Sequence, residues 1–493
     1  MTSSLHLIWA CLLGSIFVFS FLPFDLFFLP YLIFPAFFFL LDQSDKKLAT
    51  SILFGFFFFS TGLYWLILCI NNYGGASLTN AVIICSIFYI FLSLFFLPFA
   101  FFKKVSLLSA IALFVILEII REYLFTGFPW LSIGFSQTNN PFVNNYYEII
   151  GSHGVSLVVL IISALLYISF LNKSKRKLSL FLIAFIISTN FLIHLLKPEP
   201  TIENNNLNIS LLQGNISQSI KWDANRVEEQ INIYVDLLNQ AKGDVIIFPE
   251  TAIPLLYKNY PENFNEAVEN KISENKSVII GSIFEDNGHY LNGAIIKEKN
   301  FDQYYFKEHL VPFGEYFPLT EYFGFFYEKI LDIPFSNLTP PEIKNNVINI
   351  SDVNVGLNIC YEDIFKTSYD KFNKADLFIN LTNDAWYDRS PAAHQHLQIA
   401  QARAMEYQKP IVRATNTGVT AYIDAKGTIQ NQLPIFTTGV LELSAQTNQY
   451  KTIFTKYGYI PLYIILFFMF FANKVTSSAL LKVKKKVKSQ SNF

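Results

Sequence analysis

Charge is scarce in this chain: only 15% of its residues are Asp, Glu, Lys or Arg. Lys plus Arg (37) almost cancels Asp plus Glu (38), which leaves no net field to recruit a nucleic acid; no nucleic-acid partner is expected. Cysteine is nearly absent as well. Four residues cannot build a disulfide framework for a chain this long. Cys11, Cys69 and Cys85 lie inside apolar runs, where a small hydrophobe is the ordinary reading, so Cys360 stands alone in polar sequence. No glycine-rich phosphate loop occurs, so no nucleotide cofactor is implied. His394 and His396 stand two apart on a helical stretch and point about 200° from each other. They do not converge on a metal, and a structural role is expected of them. There is no internal repeat and no low-complexity linker.

What is abundant is apolar surface. Hydrophobic residues make up 52% of the chain and 52 residues are Phe, more than a soluble core of this size requires, so the excess should face lipid. A helix needs about 20 apolar residues to cross a bilayer. Seven runs precede residue 198: Leu5 to Leu22, Leu26 to Leu41, Leu48 to Ile70, Ala81 to Phe102, Leu107 to Ile120, Val155 to Leu171 and Leu178 to Leu196. The second and fifth are short, and one of them is a candidate re-entrant segment. An eighth run covers Ile460 to Ala472. The first run lacks a preceding basic residue and a following small-x-small site, so it reads as a span, not a cleaved signal.

Basic residues orient the spans. Lys46 and Lys47, Lys103 and Lys104, the cluster Lys173, Lys175, Arg176 and Lys177, and the tail Lys482, Lys484, Lys485, Lys486 and Lys488 all fall on one side if eight spans form. By the positive-inside rule that side is the cytoplasm, with both chain ends inside and the polar block outside. The Lys tail reads as a topology anchor meeting anionic membrane lipid. Glu118, Arg121 and Glu122, near the end of the fifth run, are ambiguous: charges at membrane depth are functional candidates, but at this spacing they also pair along a helix.

Three segments follow: a transmembrane domain over 1–197, an external catalytic domain over 198–450, and a final helix with a basic tail over 451–493. In the middle segment, strand-like runs (Leu207 to Leu212, Asp244 to Phe248, Ser277 to Ser282, Gly293 to Lys297, Val353 to Ile359, Ala375 to Asn380, Pro410 to Ala414) alternate with helical stretches (Asp223 to Ala241, Glu262 to Asn275, Asp363 to Phe372, Pro391 to Tyr407). Compact apolar strands such as Val245-Ile-Ile-Phe248 suit a layered α/β fold.

Chemistry gathers at the ends of these strands. Glu250 follows the run Asp244 to Phe248, and Cys360 follows Val353 to Ile359 at a strand-to-helix junction, where backbone donors favour a thiolate. Lys307 lies in the aromatic, loop-like stretch Tyr305 to Tyr316, with Glu315 close behind. Taken singly, each has a plain structural role: a capping Glu, a solvated Lys, a buried Cys. Together they suffice for acyl transfer, which needs a nucleophile, a base and positive charge for the oxyanion.

Pro249-Glu250, Lys307 to Glu315 and Cys360-Tyr361-Glu362, in that order, resemble the nitrilase superfamily, which implies a four-layer αββα sandwich and a Glu-Lys-Cys triad. With apolar spans on both sides, the whole chain is similar to the apolipoprotein N-acyltransferase family, the membrane-embedded branch of that superfamily. Supporting stretches are Thr126 to Gln137, Gln213-Gly-Asn215, Lys221-Trp222, Asn383-Asp-Ala-Trp386 and Ala392 to Gly418. Ser217 departs from the pattern where Pro is expected, and Tyr387-Asp388 where Phe-Gly is expected; both bear on substrate contacts and leave the triad intact. The resemblance implies a polytopic helical membrane domain of about eight spans joined to the sandwich, in a bacterial inner membrane. It implies a glycerophospholipid acyl donor, a diacylglyceryl apolipoprotein acceptor, a Cys360 thioester and ping-pong kinetics without a cofactor. Glu250 would be the base, Lys307 and the Tyr361 N–H would bind the oxyanion, and Glu315 and Glu362 would support them. Trp222, Trp386, Phe325 and Phe326 are candidate substrate contacts, the last two within the aromatic stretch Tyr316 to Phe335, which reads as a membrane-dipping lid, the alternative being that its rings fill the domain's own core. Two rival readings remain: a membrane-tethered nitrilase-type amidohydrolase that passes the acyl group to water, and a transporter or scaffold that has lost the chemistry.

Overall fold

The computed structural model describes residues 3–470, apart from 102–103, 198–205, 319–337 and 343–344. Phe325, Phe326, most of the expected lid, Lys103 and the basic tail lie outside the described residues. The chain divides into two compact units, one of Met1–Gly62, Ser86–Lys197 and the chain from Lys456, the other of Leu63–Cys85 and Pro198–Thr455.

The first unit is helical. Among the described residues of the whole chain, three helices are by length and composition able to cross a membrane, Leu78–Ala100, Asn144–Leu171 and Lys173–Leu196. A fourth forms if the bent pair Lys47–Gly62 and Trp65–Asn72 counts as one span; Ser4–Ser20, Pro30–Gln43 and Ile460–Phe470 are shorter apolar helices. The third apolar run was expected as one helix and is instead bent by 54°. The cause is local. Ser60 and Thr61 turn their hydroxyls back onto the Phe57 carbonyl (3.4 and 2.6 Å), and Gly62 follows, a combination that bends helices.

The phenylalanines are not all spent on lipid. Phe17 stacks on Phe58 (4.4 Å between centroids) and Phe37 on Phe54 (4.1 Å), and all four are buried, so part of the excess forms a ring-on-ring core. The helix Lys173–Leu196 is the opposite case, with Leu180, Phe181, Phe185 and Leu192 exposed.

Glu118, Arg121 and Glu122 are buried, and besides the attraction of Arg121 for Glu118 along their helix they reach beyond it. Arg121 donates to the carbonyls of Phe128 (3.0 Å) and Trp130 (2.7 Å) and to Ser132 Oγ (3.0 Å), while the Ile133 N–H donates to Glu118 Oε1 (2.9 Å). His153 lies between Glu118 and Glu122, at 3.0 and 2.9 Å. The cluster thus pins the Thr126 to Gln137 stretch to two helices and satisfies polar atoms that would be costly in a low-dielectric interior.

Among the described residues the second unit carries two six-stranded sheets, in the orders β12-β1-β2-β3-β4-β5 and β11-β10-β9-β8-β7-β6. The strands are β1 Leu207–Gln213, β2 Val245–Ile247, β3 Ser277–Asp286, β4 His289–Lys297, β5 Asp302–Phe306, β6 Ile348–Ile350, β7 Val353–Ile359, β8 Leu377–Thr382, β9 Ile411–Thr415, β10 Ala421–Ile423, β11 Ile429–Gln432 and β12 Gly439–Ala445. The centre of each sheet is parallel (β1-β2-β3 and β7-β8-β9) and its edges are antiparallel. Helices Val227–Gln240 and Glu262–Ser273 bury Tyr234, Leu238, Phe264 and Val268 with Ile246 and Phe248. On the second sheet, Tyr369 and Tyr407 of the covering helices pack on Phe378 of β8 (4.7 and 5.9 Å). The layering is αββα. Its seven expected strands are present. The five that were not anticipated (β5, β6, β10, β11, β12) are short or edge strands with weak apolar runs.

Candidate active site

In each parallel sheet the carboxyl ends of the strands lie along one edge, and the polar residues expected to act together stand there. Glu250 follows β2, Lys307 follows β5, Cys360 follows β7 and Asn383 follows β8. Lys307 thus leaves a strand, where a loop-like stretch was expected; β5 was hidden because Asp302-Gln-Tyr-Tyr-Phe306 is a short, partly exposed edge strand with no alternating apolar pattern.

Lys307 is buried and its Nζ lies between two carboxylates, 3.1 Å from Glu250 Oε1 and 2.9 Å from Glu315 Oε1. Asn292, on β4, ties the same pair together by donating through Nδ2 to Glu250 Oε1 (2.8 Å) and Glu315 Oε1 (2.7 Å). The other oxygen of Glu250 accepts from the Asn383 N–H (2.9 Å), and the other oxygen of Glu315 from the Val311 N–H (2.7 Å). Asn292 had no signal in the sequence, since only the strand pairing brings it to the site.

Backbone geometry brings Glu250 close to its sheet. A Cβ on Gly281 of β3 would meet the Pro249 carbonyl at 2.4 Å and the Glu250 Cα at 2.8 Å, so glycine is required for this approach. Cys360 sits at φ +51°, a left-handed conformation unusual for a side-chain-bearing residue, and opens the turn Cys360–Ile364. Such strain is held only where surrounding contacts enforce it. Glu362 supplies them. Its Oε2 accepts from the Ile359 N–H (2.8 Å) and the Tyr305 hydroxyl (2.6 Å), and its Oε1 from the N–H groups of Glu308 (2.9 Å) and His309 (3.2 Å). One buried carboxylate therefore locks the Cys360 turn to the segment that carries Lys307. The Tyr361 ring lies edge-on to Phe365 (5.1 Å).

Electrostatics divides the roles. Burial pushes the Cys360 thiol well above its ordinary range and the Glu250 charge adds to this, while Lys307 opposes both. Burial alone would raise Glu250 too, but Lys307, Asn292 and Lys221 outweigh it and hold the carboxyl below its usual range. For Lys307 burial works against the charge, and Glu250 and Glu315 more than restore it. The resting state is therefore a thiol beside an ionised carboxylate and a firmly charged ammonium.

Behind Cys360 lies a second buried network. His396 bridges Asp363 (2.6 Å) and Asp384 (3.0 Å), and Arg413 pairs with Asp363. His396 is thus held by two buried carboxylates. Burial disfavours its cation, yet Asp363 and Asp384 prevail over the nearby Arg413 and raise its pKa to about 9. Among the described residues no cluster of three or more His, Cys, Asp or Glu is arranged to hold a metal ion.

Of the candidate substrate contacts, Trp222 and Trp386 are described, and each has its own neighbours. Trp222 packs with Leu256 and Tyr316 against Ile283, Leu310 and Leu338, beside the Lys307 to Glu315 segment. Trp386 meets the helix Trp65–Asn72: its ring is edge-on to Tyr73 (5.7 Å) and its carbonyl accepts from Cys69 Sγ (2.9 Å). Trp65 likewise lies edge-on to Tyr387 (4.8 Å). Cys69 and Trp65 were assigned to a membrane run, and only the bend at residues 63–64 reveals this contact.

A carbon-nitrogen hydrolase fold, with a buried cysteine at a strand end, joined to a helical membrane region defines the class of the protein. Residues 208–452 match the carbon-nitrogen hydrolase family model, and residues 13–165 match the N-terminal domain of apolipoprotein N-acyltransferase. The chain is 33% identical over 479 residues to the apolipoprotein N-acyltransferase of Nitrosomonas europaea, covering 93% of this chain and 95% of the relative. The Haemophilus influenzae protein of that name is 31% identical (92% of each chain), and that of Neisseria meningitidis serogroup B 34% identical (86% and 87%). The chain belongs to the apolipoprotein N-acyltransferase family.

Proposed function

We propose that this protein moves a fatty acyl group from a glycerophospholipid, through a thioester on Cys360, to the α-amino group of an N-terminal S-diacylglyceryl-cysteine on an apolipoprotein. The observation that carries the reading is the placement of the Lys307 ammonium between Glu250 and Glu315, within electrostatic reach of Cys360. Glu250 takes the thiol proton as the sulfur attacks the ester carbonyl. Lys307 and the Tyr361 N–H stabilise the oxyanion. The intermediate collapses by expelling the glycerol oxygen, which receives the proton from Glu250, and a lysophospholipid departs. The incoming amine then attacks the thioester and gives its proton to Glu250. The second collapse releases the amide, and the thiolate recovers the proton. Because the thioester stores the acyl group, donor and acceptor bind in turn and ping-pong kinetics follow.

The basic clusters support an arrangement of eight spans, with the catalytic segment 198–450 outside, segments 1–197 and 451–493 anchoring it in the inner membrane, and both ends cytoplasmic. Trp222, Trp386, Phe325 and Phe326 are the proposed substrate contacts.

Intact-mass measurement after exposure to phospholipid vesicles tests the reading. One acyl adduct is expected on the wild-type chain and none on Cys360→Ala. An adduct that persists in Cys360→Ala removes the mechanism. An adduct lost to water at the same rate with and without an acceptor peptide would favour the amidohydrolase.

A further inference from the structure

In the sequence Lys221 belongs to the Lys221-Trp222 stretch, with no role assigned to its charge. Its side chain is buried, 2% exposed, at the end of the short helical turn Gln218–Lys221. A buried ammonium with three donors ordinarily has carboxylate or several carbonyl partners. Here, among the described residues, the one hydrogen bond made by Nζ is a long one, 3.4 Å, to the backbone carbonyl of Glu250. Its charge nevertheless acts on both Glu250 and Cys360.

The sum of nearby charges gives this placement a purpose. Lys307 faces two carboxylates, Glu250 and Glu315, which leaves that trio with one negative charge in excess. Forming a thiolate there adds a second negative charge where burial already disfavours the first. The Asp363, Asp384, His396 and Arg413 network is balanced within itself once His396 is protonated, and supplies no spare cation. Lys221 does.

We propose that Lys221 is a second, charge-compensating ammonium of the site, a positioning residue that keeps Glu250 ionised and favours the Cys360 thiolate in the acyl-transfer cycle. The inference rests on the proposed role of Cys360. The groups that face Cys360 electrostatically are the carboxylates Glu250, Glu315 and Asp384, the Lys307 and Lys221 cations, and the phenol of Tyr387; those facing Lys221 are Glu250 and Cys360. Burial lowers the Lys221 pKa to about 8, against the opposing pull of Glu250 and Cys360, so the ammonium is present at neutral pH and lost on mild alkalinisation.

The test is the pH dependence of Cys360 alkylation by iodoacetamide, read by peptide mass spectrometry on the full chain in lipid nanodiscs. Lys221→Met should slow alkylation at pH 7.5 by about tenfold or more, one pKa unit being a factor of ten, with Lys221→Arg near wild type. In the wild type the rise of rate with pH should flatten above pH 8 as Lys221 loses its proton, whereas Lys221→Arg should continue to rise. A folded Lys221→Met with the wild-type rate overturns the inference. So do superimposable profiles for wild type and Lys221→Arg, a comparison that decides the matter if Lys221→Met does not fold. A wild-type Cys360 that resists both alkylation and acylation would remove the proposed function and this inference with it; a reactive Cys360 indifferent to residue 221 removes the inference alone.

Discussion

Tyr305 donates a 2.6 Å hydrogen bond to Glu362, joining the strand that ends at Lys307 to the turn that begins at Cys360. Both partners are buried, so the bond is charge-assisted if Glu362 is ionised and has no water to replace it. Tyr305→Phe should lower stability by about 1.5–3 kcal/mol, the range for a hydrogen bond to a charged group, visible as a lower Tm in detergent. Glu362→Gln should cost more, since it also weakens the bonds from Ile359, Glu308 and His309, and it should reduce acyl-enzyme formation. An unchanged acylation rate in Glu362→Gln would show that the clamp does not align the site.

Lys307→Ala should cut the rate of Cys360 acylation by roughly 100- to 1000-fold, the usual loss for one oxyanion donor. Single-turnover acylation by phospholipid reports this directly. A loss under tenfold would assign Lys307 to holding Glu250 and Glu315 apart and would take it out of the oxyanion site.

Glu250 is a carboxyl whose folded pKa lies below its unfolded value, the pull of Lys307, Asn292 and Lys221 exceeding the upward push of burial. The sign follows from linkage: its ionisation stabilises the fold above the unfolded pKa, about 4.3 for Glu, and this stabilisation disappears as pH falls through the lower folded value. The Tm difference between wild type and Glu250→Gln should therefore hold from pH 7 to about pH 5 and shrink at more acid pH. A difference that widens on acidification contradicts the assignment.

For topology, a reporter fused after Asn300 should read as external and one fused after Phe493 as cytoplasmic if the proposed eight spans form, since all the basic clusters then fall on one side. A cytoplasmic signal at position 300 would overturn both the span count and the compartment.

The aromatic stretch Tyr316 to Phe335 is proposed to capture the donor. Replacing Phe325 and Phe326 by Ser should forfeit roughly 1.5–3 kcal/mol for each fully buried ring. Acylation by bilayer phospholipid should slow while acylation by a short soluble ester survives. Equal slowing with both donors would place the rings in the domain core.

The sequence by itself determined the local features. Apolar run length marked the helices, compact Val- and Ile-rich runs marked the central strands, and Glu250, Lys307 and Cys360 became candidates not singly but through their order and the stretches around them. Composition also fixed the broad class, since an apolar excess of this size has few uses outside a membrane. Only tertiary structure could decide the rest. Asn292 reaches Glu250 and Glu315 through strand pairing, and Glu362 reaches Tyr305 across 57 residues of chain; no local window contains both partners. The bend after Gly62, which gives Trp65 and Cys69 to the catalytic unit, depends on two hydroxyls competing for one carbonyl within an apolar run whose hydropathy is continuous. Lys221 is the clearest case: its stretch was noted in the sequence but its charge was given no role, and only its burial beside Glu250 makes that charge matter, because a charge acquires chemical weight where water cannot screen it.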